Sequence, residues 1–158
     1  LLCERNHIAH ELAELFVNDP GQQRVSTYCH PILVEVAQAR ADDMFARQYF
    51  GHCDPDGLCP NWYILKAGYP LPVYYSPNGN SVESIGTNQK NADDLWNGLK
   101  NSPSHVKHIL GQIGFYREQE CYGIGYADKS TPSASSGTVR SVPWQVDKIY
   151  VILTAPCP

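Results

Sequence analysis

Cys121-Tyr122-Gly123-Ile124-Gly125-Tyr126-Ala127 is the stretch on which the fold turns. It is short, rich in strand-forming residues and bounded by turn formers, and Ile149-Tyr150-Val151-Ile152-Leu153-Thr154 has the same character. If the two pair antiparallel, the beginning of one faces the end of the other. Cys121 then comes opposite Cys157, which predicts a disulfide. The intervening segment, about 128–143, is rich in Ser, Thr and Pro with almost no apolar content, and is expected to be a long hairpin loop. A further strand is expected near Ile113.

Upstream the periodicity is helical. Ile8, Leu12, Leu15 and Phe16 fall on one stripe of a helix from Asn6 to about Asn18. Pro31 suits a first helical position, and Leu33, Ala37, Ala41, Met44, Phe45 and Tyr49 keep helical spacing until Gly51 offers a left-handed stop. His52 would then leave a rigid, core-packed helix directly. Cys59-Pro60-Asn61-Trp62 opens a short helix that ends at Gly68. The Pro- and Tyr-rich run from Tyr69 to Asn80 reads as an ordered surface loop. Asn91 caps a helix with Asp93 and Asp94 in its first turn and Ala92, Leu95, Trp96 and Leu99 on one face. Ser102-Pro103 starts another short helix, closed by Gly111.

Composition narrows the class. A chain of 158 residues, 42% hydrophobic, builds one core and reads as one domain over 1–158. A net charge of -4 and the absence of basic clusters argue against nucleic acid and anionic membranes as partners. No apolar run is long enough to span a bilayer. Leu1-Leu2-Cys3-Glu4-Arg5 lacks the pattern of a signal peptide, so any targeting segment is expected to lie outside this sequence. The six cysteines are spread rather than paired as CxxC, which favours disulfides over a zinc knot, six reduced core thiols being the alternative. Cys53 and Cys59 bracket an Asp-Pro-Asp-Gly turn and can close it, leaving Cys3 for Cys29 by elimination. Disulfides imply an extracellular, secreted or periplasmic location.

Three segments carry ionisable groups beside structural punctuation: Gly51-His52-Cys53-Asp54-Pro55-Asp56-Gly57, Asn80-Ser81-Val82-Glu83-Ser84-Ile85, and Ser102-Pro103-Ser104-His105-Val106-Lys107-His108. Their order is informative: a helix with Gly-His after it, a Glu-x-Ile turn, a Trp, Ser-x-x-His and a Gly-x-Gly strand. That succession resembles the CAP superfamily (cysteine-rich secretory, antigen 5 and pathogenesis-related 1 proteins; the SCP domain) across nearly the whole chain. Pro103-Ser104-His105-Val106-Lys107 brings it closer to the compact bacterial-type branch. The resemblance implies an α+β fold, a three-layer α-β-α sandwich with a mostly antiparallel central sheet. It also implies a cleft lined by His52, Glu83 and His105. Many relatives carry a second Glu three residues after the Trp, where this chain has Leu99.

Two imidazoles and one carboxylate supply three protein ligands for zinc or another divalent cation and leave a position for water. The competing reading is that His52, Glu83 and His105 hydrogen-bond across the cleft and hold its loops together. Secondary candidates are Asp54 and Asp56, which tight-turn chemistry also explains, and His108, which shares a helix face with His105. Ser104 directly precedes His105, and adjacent helical residues point about 100° apart, so they do not form a nucleophile–base pair. The expected function is therefore non-enzymatic binding of an extracellular ligand or partner (a lipid or sterol, a protein, or a divalent metal), with a metal-dependent hydrolase or peptidase in the same cleft as the alternative. Tyr63, Tyr69, Tyr74 and Tyr75, among prolines, either wall an amphipathic groove for such a ligand or simply cover the helical layer.

Overall fold

A computed structural model describes residues 2–131 and 142–158. The elements in chain order are α1 (His7–Asn18), β1 (Tyr28–Cys29), α2 (Pro31–Arg47), α3 (Pro60–Lys66) and β2 (Glu83–Thr87). They continue with α4 (Ala92–Lys100), α5 (Pro103–Ile109), α6 (Gly114–Arg117), β3 (Cys121–Ala127) and β4 (Ile149–Ala155). Most of the segment expected to form the 128–143 hairpin loop lies outside the described residues.

The four strands make one sheet in the order β1-β3-β4-β2. β3 pairs antiparallel with β4, as its sequence predicts, and β4 pairs antiparallel with β2. β1 runs parallel to β3, so the sheet is mixed. Alternation along the strands sorts the side chains into two cores. Tyr122, Ile124, Tyr126, Tyr150 and Ile152 pack against α1, α4 and α5, while Val151, Leu153, Ala155 and Ile85 pack with residues of α2 and α3. The result is the expected α-β-α sandwich. Two glycines let α2 lie directly on β3: a Cβ at Gly123 would come 2.1 Å from the Leu33 backbone, and one at Gly125 would come 2.5 Å from the Ala37 backbone.

Local chemistry sets the helix starts. The Asn6 side chain accepts from the Ala9 amide and caps α1. The His30 imidazole accepts from the Ile32 amide ahead of α2, whose first residue is Pro31. Asn91 caps α4 by accepting from Asp94 N, with Asp93 and Asp94 in the favourable first turn.

Three details differ from the sequence reading. α2 stops at Gln48, which takes the left-handed conformation with φ 57, and not at Gly51. The strain is offset by hydrogen bonds: the buried Gln48 side chain donates to the Phe45 and Val146 carbonyls and accepts from Val146 N. Ile113 does not start a strand. Its carbonyl accepts from Tyr116 N and Arg117 N, closing the single turn of α6. Glu83 is not in a turn but opens β2; the turn lies just before it, where Asn80 Oδ1 accepts from Val82 N and Glu83 N.

The three disulfides are Cys3–Cys29, Cys53–Cys59 and Cys121–Cys157, the pairings the sequence predicts. Among the described residues no helix is long and apolar enough to cross a membrane.

Candidate functional site

The site lies where the end of α2, the start of β2 and helix α5 converge. Neighbouring residues of one strand face opposite sides of the sheet, so Glu83 turns toward α2 and Ser84 toward α5. A cavity of about 170 Å³ opens at this point, lined by His52, Asn80, Glu83, Ser84, His105 and His108, among others.

Glu83 is the centre of the α2 side. Its carboxylate is gripped by the Arg40 guanidinium, with Nε donating to Oε2 at 2.9 Å and Nη2 to Oε1 at 3.0 Å. Both side chains are 0% exposed. Arg40 also donates to the carbonyls of Gly51 at 2.9 Å and His52 at 2.7 Å and to the Tyr49 hydroxyl at 3.1 Å. Its guanidinium lies over the Tyr63 ring. Burial opposes the Arg40 charge, but the charge and hydrogen bonds of Glu83 outweigh it and raise the pKa further above the usual arginine range. One arginine thus fixes both the acid and the backbone of the histidine loop.

His52 Nδ1 lies 3.0 Å from Glu83 Oε1. A carboxylate only accepts, so Nδ1 carries a proton in this contact and leaves Nε2 facing away from Glu83. The side chain is 41% exposed. His105 lines the other side of the cavity from the first turn of α5, with Nδ1 2.7 Å from Ser102 Oγ. Burial first, and then the charge on His52, lowers its pKa. The ligand atoms of His52, Glu83 and His105 do not all fall within 4.8 Å of one another. Among the described residues that proximity is met by Cys3, Glu4 and Cys29, whose sulfurs are joined in a disulfide.

The secondary candidates have their polar atoms committed to other partners. Asp54 Oδ1 accepts from Asp56 N and Leu58 N, and its other oxygen accepts from the Tyr63 hydroxyl and lies 3.6 Å from Arg47. Asp56 pairs with Arg47 at 3.1 Å. His108 has both ring nitrogens in hydrogen bonds, to Ser84 Oγ at 2.6 Å and Thr154 Oγ1 at 2.7 Å. Burial, reinforced by the charges of Arg24, His105 and His52, holds its pKa well below the ordinary value. Leu99 packs in the core beside Leu95 and Trp96.

The tyrosine cluster divides. Tyr69 and Tyr75 are core residues, Tyr69 donating to the Pro156 carbonyl and Tyr75 stacking on Phe115. Tyr63, under Arg40, is half-buried, whereas Tyr74 is exposed beside a fully exposed Val73.

Sequence reasoning missed Arg40. The signal was present, because Arg40 falls on the stripe of Leu33, Ala37, Ala41 and Met44, where a lone charge needs a buried partner.

No protein-family model matches the chain, and neither does any curated protein. Two solved structures do. One is an extracellular protein containing an SCP domain from Bacillus anthracis str. Ames, with a TM-score of 0.55 and 17% identity over 82% of this chain. This chain spans about a third of that protein's length, 33%. The other is an outer surface protein from Borrelia burgdorferi, with a TM-score of 0.56 and 17% identity over 94% of this chain and 86% of that one. At such identity the likeness speaks to the fold, and with the sandwich, the sheet order and the three disulfides it gives one conclusion: this chain has a CAP/SCP-like fold.

Proposed function

We propose that this is a secreted binding protein whose His/Glu-lined cleft takes up an extracellular ligand, with a divalent cation such as zinc as the first candidate. The observation that carries the reading is the hydrogen bond from His52 to Glu83, itself clamped by Arg40. A histidine oriented by a carboxylate through one nitrogen presents the other as a ligand, the arrangement common behind metal-binding imidazoles. His105 adds a second imidazole, which burial keeps neutral and therefore able to bind a metal.

The donors available are two imidazoles, because Glu83 takes a changed role. Both of its oxygens accept from Arg40, so it acts as the orienting group, and His52 and His105 are the protein ligands. A zinc ion held there would act as a Lewis acid toward a group that completes its coordination. The three disulfides support an oxidising, extracellular compartment.

Zinc titration of the chelator-stripped protein by calorimetry tests the reading. His52→Ala and His105→Ala are each expected to weaken binding about tenfold or more, since each removes a ligand, while the surface variant His7→Ala leaves it unchanged. Equal affinity in all four proteins would remove the site. A peptide library incubated with the metal-loaded protein tests the alternative: cleavage that disappears in His52→Ala would replace binding with metal-dependent hydrolysis.

A further inference from the structure

Ser84 and His108 form a second constellation on the border of the same cavity, and their hydrogen bonds have a direction that can be worked out. The far end of the chain fixes it. Gln119 Nε2 donates to the Ser81 carbonyl at 2.9 Å and to the Tyr75 hydroxyl at 2.9 Å. A carbonyl only accepts, so the amide orientation is set and Gln119 Oε1 is the acceptor. Thr154 donates its single hydroxyl proton to that oxygen at 2.6 Å. With its proton committed, Thr154 Oγ1 must accept from His108 Nε2, which lies 2.7 Å away. The neutral ring then carries its lone pair on Nδ1, and Nδ1 accepts the Ser84 hydroxyl proton across 2.6 Å.

Ser84 is 2% exposed, His108 4%, and Gln119 and Thr154 0%, so water does not compete for the chain. Ser84 and His108 nonetheless both border the cavity of about 170 Å³. A hydroxyl within reach of a base that a third group orients is the arrangement that makes serine a nucleophile.

We infer that Ser84 is the acceptor of a small acyl-transfer site, with His108 as its general base and with Thr154 and Gln119 as positioning residues that fix the ring's tautomer. The size of the cavity selects donors of acetyl scale, activated esters or thioesters of short carboxylic acids. Ser84 Oγ forms a bond to the acyl carbon, and the bond from that carbon to the leaving oxygen or sulfur breaks. The serine proton passes to His108 Nδ1 and from there to the leaving group. Nothing is oxidised or reduced. The inference does not rest on the metal reading, because it uses neither His52 nor His105.

The test is incubation of the intact, disulfide-bonded chain with p-nitrophenyl acetate, followed by peptide mapping with mass spectrometry. The expected result is acetylation of Ser84 about a hundredfold faster than in the same chain unfolded in urea, the scale of general-base assistance. Ser84→Ala is expected to lose the adduct. Thr154→Val, which removes the acceptor for Nε2, is expected to slow acetylation about tenfold with an unchanged circular dichroism spectrum. Nitrogen-15 spectra are expected to show His108 protonated on Nε2. An adduct that forms on Ser84 no faster than in the unfolded chain, its absence, or a ring protonated on Nδ1 would each overturn the inference.

Discussion

The wall of the cleft that carries His52 and the wall that carries His105 are built alike, from one residue of β2 and one residue of a helix, but they differ in charge. On the first, Glu83 meets Arg40 of α2 in an ion pair from which water is excluded. On the second, Ser84 meets His108 of α5, and the contact continues through Thr154 and Gln119 without a formal charge. The two strand residues are adjacent, and the alternation of a β-strand sends them to opposite faces of the sheet. A buried charge anchors its surroundings strongly because losing either partner strands the other. A neutral chain anchors by having every donor and acceptor used, and it fails when a proton is forced onto it.

The largest effect expected from this contrast is that of Arg40→Met. Removing the guanidinium leaves Glu83 buried without its partner and the Gly51 and His52 carbonyls without a donor, at a cost of about 3–5 kcal/mol in urea unfolding. The double variant Arg40→Met/Glu83→Leu sharpens the comparison. Replacing both charges with apolar groups is expected to restore most of the stability, because the pair's attraction largely goes to offsetting its own desolvation. His52 would still lose the acceptor that orients it. A single variant less than about 1 kcal/mol below the parent would show that the ion pair is not the anchor of this wall.

Much of the fold was legible in the sequence, and the illegible part has a physical reason. The antiparallel β3–β4 pair, the start signals of α1, α2, α4 and α5, and the three disulfides follow from local chemistry and spacing. The residues of the site that sequence reading gathered, His52, Glu83 and His105, do border one cavity. Partnerships across the chain were not legible. Arg40 and Glu83 are 43 residues apart, and nothing local to either names the other. β1 was invisible because two residues carry no periodicity, and its pairing with β3 is set by tertiary packing. The end of α2 was misread for the same reason, since Gln48 takes its left-handed turn with help from Val146, 98 residues away.

A smaller effect is expected where the first wall is tied covalently. Cys53–Cys59 closes a separation of 6 residues, Cys121–Cys157 one of 36. On chain entropy the short loop contributes about 2 kcal/mol and the long one about 4. Cys53→Ser/Cys59→Ser should therefore lower the melting temperature by roughly half as much as Cys121→Ser/Cys157→Ser. Cys53 follows His52 directly, so the short disulfide should matter more to the cleft than to global stability. Zinc affinity should fall in the first variant and hold in the second. The reverse order would mean that the ion pair alone positions the His52 loop.

Mild acid should act on the second wall. Burial, with the charges of Arg24, His105 and His52, holds the His108 pKa well below its ordinary 6.5 in the folded protein. The unfolded chain takes up a proton there as pH falls past about 6.5, and the folded chain does not, so stability declines as pH drops through that value. The decline contributed by His108 is about 1.4 kcal/mol per pH unit until its folded pKa is reached. His105 acts in the same direction, its pKa being lowered by burial and then by His52. His10 acts oppositely: its pKa is raised by Glu4, so its contribution is present at low pH and lost as pH rises through the raised value. Asp19, lowered on balance by Lys100, Trp96 and Gly21 despite its partial burial, loses its contribution only as pH falls through the carboxylate range. Below pH 6.5 the slope should therefore flatten in His108→Gln, whatever that variant does to the absolute stability. An unchanged slope would mean that the neutral chain through Ser84, Thr154 and Gln119 admits a proton, and the two walls would then differ in their residues but not in their physics.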